Sequence, residues 1–264
     1  MNIIIRELKS NFKSLWIWAS SLLVFFIMTL TEFSAYYKNP EMQDILSSMP
    51  ESLLKAFSMD ATNLTTLNGY LSMLLIYFYL LLGVYAVLLG NGILAKEARD
   101  KTAEFIYSLP VSRERVVLAK ICAGIINLFF MVLVVGLACV GATFRFEPES
   151  GYFEFLLVVL LSIFIFELVF FFIGMLFAAL IKNHKISSAF SVSILFISYI
   201  LSILINISSK IEFLKYATPF AYFEPVKIQN EKSLEPIYLV LSFIIMIAAI
   251  VVIFIRYPKR DFTG

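Results

Sequence analysis

The sequence predicts an all-α membrane protein with six transmembrane helices. Three observations carry that expectation: hydrophobic residues make up 61% of the 264 positions against 15% charged, six segments are long and apolar enough to cross a bilayer, and basic residues are shared unequally between the two sides. A soluble chain of this length has too little interior to hide so much apolar surface. A helix of roughly 17 to 25 mostly apolar residues spans hydrocarbon while satisfying its own backbone hydrogen bonds. The segments are 15–31, 70–95, 121–144, 155–181, 186–207 and 237–255. With no linker, low-complexity tract or soluble domain between them, residues 1–264 read as a single transmembrane domain.

The elements follow in order. In residues 1–14, Ile4, Ile5, Leu8 and Phe12 recur at near-helical spacing, with Arg6, Lys9 and Lys13 at the intervening positions. That pattern suits a helix lying in the membrane interface, and equally a positively charged start to the first span. No small-x-small cleavage pattern follows, so the first span is expected to be retained. After it, Asn39 precedes Pro40 as a helix cap precedes a first-turn proline, and Ser48 and Glu51 have capping-box spacing ahead of Leu53, Leu54 and Phe57. Both predict short helices on the outer surface. The last outer loop gathers Tyr216, Phe220, Tyr222 and Phe223 around Pro219 and Pro225, which suits the headgroup region, or a dip into the bilayer where other helices shield the broken backbone.

Orientation follows from lysine and arginine. The N-terminus, the second-to-third and fourth-to-fifth connections and the tail hold 14 of the 21, and the opposite loops hold seven. By the positive-inside rule both termini are expected in the cytoplasm, in a multi-pass protein of the cell membrane. The acids lean the other way, with 12 of 19 on the outer side. Basic inner segments suit anionic lipid headgroups, and no basic patch outside the membrane context points to nucleic acid. Cys122 and Cys139 lie 17 positions apart in one apolar run, about 25 Å along a continuous helix, too far to bridge within it. With His184 the only histidine, no metal-ligand spacing exists.

The most informative stretch is the second-to-third connection, 96–120, KEARDKTAEFIYSLPVSRERVVLAK. Ala98, Thr102, Phe105 and Leu109 form a narrow apolar face on a charged helix, and Glu97 to Lys101 is a favourable i,i+4 pair. Pro110 ends that helix, and Ser112 is placed to cap the next. So short and charged a helix, held between two long spans, reads either as a solvated hairpin or as a face for a partner.

Residues 97–120, above all Glu97, Lys101, Thr102, Glu104, Phe105 and 108–113, resemble the cytoplasmic loop of ABC-2 type transporter permeases. TPFAYFEP at 218–225 and RYPKRDF at 256–262 resemble further parts of the same family. Together with six spans they extend the resemblance over essentially the whole chain. It implies a permease of the type V exporter kind, in which two six-helix subunits, here more in keeping with a homodimer, form a pathway worked by two copies of a separate ATPase. It also implies that 97–109 is a coupling helix docking on that ATPase, through Glu97, Lys101, Thr102, Glu104, Phe105 and Leu109, and that the N-terminal helix is an elbow beside it. No glycine is followed by lysine, so the chain has no P-loop. It is not expected to be an enzyme or to bind a cofactor itself; ATP and Mg would belong to the partner.

Glu167 lies mid-span, where an ionisable group costs several kcal/mol if it meets lipid. It is expected to face the bundle, be protonated, or meet a donor such as Asn127, Tyr77 or Tyr199. A role in substrate recognition or gating competes with a structural hydrogen bond. Ser187, Ser188, Ser191, Ser193, Ser198 and Ser202 enrich the fifth span in small polar groups, which suits close packing between subunits or within one. The spans offer few charges for a polar cargo, so the expected cargo is amphipathic or lipophilic: a peptide first, otherwise an antibiotic or lipid. An intramembrane enzyme is a weaker reading, because Glu167 is the sole residue of ionised type in the spans. A sensor or structural subunit without transport is the third.

Overall fold

The computed structural model describes residues 3–56, 59, 62–99 and 112–257, and among them every element is helical. Six helices are long and apolar enough to cross a membrane: α1 (Ile3–Tyr36), α4 (Leu67–Arg99), α5 (Arg113–Ala142), α6 (Tyr152–Leu180), α7 (His184–Ile207) and α10 (Pro236–Arg256). Each contains one of the expected apolar segments, apart from one or two terminal residues. The short helices α2 (Pro40–Ser47) and α3 (Glu51–Ala56) follow α1, while a 3-10 helix (Ser209–Ala217), α8 (Pro219–Tyr222) and α9 (Pro225–Glu231) separate α7 from α10.

Residues 3–14 run without a break into the first span, making a helix of 34 residues, about 51 Å long. That exceeds the roughly 30 Å of hydrocarbon, so the helix is long enough to carry its amphipathic first turns beyond the apolar layer. Asn39 caps α2 as its position predicts, accepting from the Glu41 amide at 3.1 Å. The capping box at Ser48 does not form: its hydroxyl donates back to the Ile45 carbonyl at 2.6 Å, and α3 starts at Glu51 behind Pro50. Ser112 caps α5 through the Arg115 amide.

Helices α4 and α6 form the centre and are buried over most of their length. They pack in close parallel contact because glycines let the backbones meet. A methyl group at Gly90 would lie 2.0 Å from the Phe171 carbonyl oxygen, and one at Gly174 would lie 2.2 Å from that of Val87. Around this pair, α5 joins α1 to α6, α7 lies on α4, and α10 lies on α6. Of the serines in α7, Ser187, Ser191 and Ser198 point inward. The amide of Asn91 donates to Ser187 Oγ at 2.5 Å and to Ser191 Oγ and the Gly174 carbonyl at 3.3 Å. These serines serve packing within the subunit.

The aromatic loop dips into the bundle. Thr218, Pro219, Phe220, Tyr222 and Phe223 are buried, Phe220 packs edge-on against Phe166 and Tyr199, and Thr218 Oγ1 pairs with Ser198 Oγ at 2.6 Å. Neighbouring helices thus shield the broken backbone, which is the condition for irregular chain at membrane depth.

Candidate functional site

Glu97 is in the last turn of α4; its side chain and the other expected coupling residues, Lys101, Thr102, Glu104, Phe105 and Leu109, lie outside the described residues. What is described is the frame from which that connection is hung. The end of α4 and the start of α5 meet the first turns of α1 in a cluster of charge. Glu7 is fully buried, its Oε1 2.8 Å from Arg6 Nη2 and 3.9 Å from Lys120 Nζ, and its Oε2 3.5 Å from Lys96 Nζ. Lys120, also fully buried, donates to the Ile93 carbonyl of α4. Tyr257, just past α10, is buried there too, its hydroxyl 3.4 Å from the Leu94 carbonyl.

Sequence reasoning treated Arg6, Lys96 and Lys120 as markers of sidedness and passed over Glu7. The signal was present: Glu7 shares a helical face with Ile4, Leu8, Asn11 and Leu15, so this acid sits on the stripe that packs inward.

Glu167 does face the bundle and is fully buried, and neither carboxyl oxygen has a hydrogen-bond partner among the described residues. None of the three expected donors reaches it. Asn127 turns its amide to the Ala123 carbonyl at 2.7 Å, and Tyr77 and Tyr199 line a cavity elsewhere. Tyr85 of α4 is a second buried polar group whose hydroxyl lacks a hydrogen-bond partner among the described residues, and its ring packs against Trp18 at 5.7 Å.

The third feature is a set of three cavities that adjoin α4 at Tyr77. Between α1 and α4, a cavity of about 380 Å³ is lined by Trp18, Ser21, Leu22, Phe25, Tyr77, Leu80 and Leu81. Toward the α2–α3 end, a second of about 290 Å³ reaches Thr29, Glu32, Tyr36, Tyr70 and Met73. A third of about 80 Å³ lies between α4, α7 and α8, with Tyr199, Asn206, Phe220 and Glu224 in its wall. Tyr77 lines all three. The walls are mainly aromatic and aliphatic with scattered hydroxyls and two carboxylates, the composition of a site for a ligand with a large apolar part.

Six helices long and apolar enough to cross a membrane, with an irregular loop packed among them, fit a multi-pass membrane protein. The chain belongs to the ABC-2 family of transporter proteins: the model of the family described as "ABC-2 family transporter protein" matches residues 1–261. It is therefore a transmembrane transporter component, and membership implies an ABC ATPase partner. Comparison with curated proteins and with solved structures gives no match.

Proposed function

We propose that this chain is the membrane permease of an ABC exporter that carries an amphipathic or lipophilic cargo, a peptide in the first instance, out of the cell. The observation that carries the reading is the group of cavities that share Tyr77. One lies beside Trp18 and another beside Glu32, and they offer apolar walls with scattered hydroxyl groups. A strongly charged solute would lose its hydration there without replacement; a molecule with an apolar body and a few polar groups would not.

In this reading α1 begins and α10 ends on the cytoplasmic side of the cell membrane, which follows from the lysine and arginine imbalance. The connection at 97–109 is the coupling helix, its narrow face of Phe105 and Leu109 seated in a partner ATPase, and ATP and Mg stay with that partner. A second copy of the chain completes the pathway. The test is co-purification from membranes with the co-expressed ATPase. Phe105→Asp with Leu109→Asp is expected to abolish it while the permease still accumulates, and undiminished capture would overturn the docking assignment.

A further inference from the structure

The charges that line the three cavities are all of one sign. Among the described residues in their walls there is no lysine, arginine or histidine, while Glu32 and Glu224 supply two carboxylates. The carboxylate of the smallest cavity is already engaged, since Glu224 accepts from Asn206 Nδ2 at 3.4 Å. Glu32 is different. It lies four residues before the end of α1, is exposed, and has no hydrogen bond or ion pair among the described residues. Lys38, six residues further on, is paired with Glu147 at 2.6 Å instead.

Phe25, Tyr36, Tyr70 and Tyr77 line the same cavity of about 290 Å³ as Glu32. Two of these rings are held in place: the Tyr70 hydroxyl donates to the Thr29 carbonyl at 2.8 Å, its ring stacks on Phe33 at 4.5 Å, and Tyr36 lies 6.1 Å from it. The face of an aromatic ring carries partial negative charge and attracts a cation within about 6 Å of its centre. Met49, Met59 and Met73 complete the wall with thioethers, which adapt to irregular apolar shapes. A carboxylate at hand, ring faces and soft apolar groups together match a positive charge on an apolar body.

We propose that this cavity is a recognition site for a cationic amphiphile, its ammonium group paired with Glu32 among Tyr36, Tyr70 and Tyr77 and its apolar body against the methionines. The proposal rests on the exporter reading and narrows the cargo to one sign of charge. The volume is at the small end of the range for drug-sized ligands, which suits a single short chain rather than a two-chain lipid. The segments expected outside carry 12 acids against seven basic residues, so the approach to the site favours cations as well.

The probe is radiolabelled octyltrimethylammonium, and the protein is the full permease with its ATPase in an uncharged maltoside detergent. Saturable binding is measured by scintillation proximity, with octanesulfonate, the same chain bearing the opposite charge, as competitor. The native complex should bind the cation, octanesulfonate should not displace it, and Glu32→Gln should raise the Kd about tenfold through loss of a charge-assisted contact. Tyr36→Leu should raise it by a smaller factor. Binding to the native complex should also weaken as salt is raised, because an exposed pair is screened; this readout stands even if a variant does not accumulate. No saturable binding, equal Kd in native and Glu32→Gln complexes, displacement by octanesulfonate, or a Kd indifferent to salt overturns the proposal. ATP hydrolysis separates the site from the exporter reading. Equal stimulation by octanol and by the cation, unchanged in Glu32→Gln, overturns the proposal and leaves the exporter reading in place. Binding that depends on Glu32 without any effect on ATP hydrolysis supports the site and counts against the exporter reading.

Discussion

Glu7 and Glu167 are both fully buried carboxylates in the same apolar bundle, and their surroundings differ completely. Glu7 lies among Arg6, Lys96 and Lys120 at the end where α1 begins. Glu167 lies in the middle of α6 with no hydrogen bond from the described residues. The first is an interaction made by several elements at once, so its loss should be felt wherever those elements meet. The second is a polar group that packing encloses without pairing. Burial alone therefore does not say what a membrane carboxylate contributes; its partners do.

The largest expected effect comes from breaking the first arrangement on one side only. Glu7→Ala leaves the enclosed Lys120 beside Arg6 and Lys96 without their shared anion, and removing one partner of a buried ion pair costs about 3–5 kcal/mol. Thermal unfolding of the purified permease in detergent should show a clear drop in Tm. A smaller effect is expected from removing both partners together. Glu7→Leu with Lys120→Leu should recover most of that stability, and a double-mutant cycle should show a coupling of about 0.5–3 kcal/mol. Additivity within error would mean that the 3.9 Å approach contributes nothing.

Glu167→Gln sharpens the contrast from the other side. It keeps the volume and removes the ionisable group from a site that gives it no partner, so stability should hold or rise slightly. If ATPase stimulation is also unchanged, Glu167 has no part in gating or recognition; a selective loss of stimulation with an unchanged Tm would assign it one.

The smallest effect should come from the far end, where Lys38 and Glu147 pair at 2.6 Å in full solvent. The lysine hydrogen bond holds the Glu147 carboxyl below the ordinary value of 4.5, and Glu147 holds the Lys38 amine above its ordinary 10.5. A lowered carboxyl value means any contribution is present near neutral pH and is lost as pH falls through the acidic range. Salt screens such exposed pairs, so Lys38→Ala should leave Tm unchanged at neutral pH and at physiological ionic strength.

Much of the fold was legible because a spanning helix is a local decision. Each segment must satisfy its own backbone in hydrocarbon, and apolar length is enough to identify it. The caps at Asn39 and Ser112 were legible for the same reason. The capping box at Ser48 failed because Pro50 and Glu51 start the helix and leave the hydroxyl to the turn before it. At the candidate site, sequence drew attention to Glu167 but did not show that Asn127, Tyr77 and Tyr199 would turn elsewhere, since depth along a helix does not say which face meets which helix. It passed over Glu7 because an acid among basic residues near a terminus looks like an ordinary interfacial charge until α4 and α5 are brought beside it.

By itself, then, the sequence determined six long apolar helices, an unequal division of charge about them, and membership of a transporter family along nearly the whole chain. The tertiary structure decided which carboxylate gained cations, where cavities remain beside Tyr77, and that the loop at 218–225 turns inward. The physical reason is range. Hydropathy and capping act within a few residues, whereas a buried charge or a cleft depends on side chains from separate helices, and only their packing brings Glu7 to Lys96 or leaves Trp18 across a cavity from Leu80.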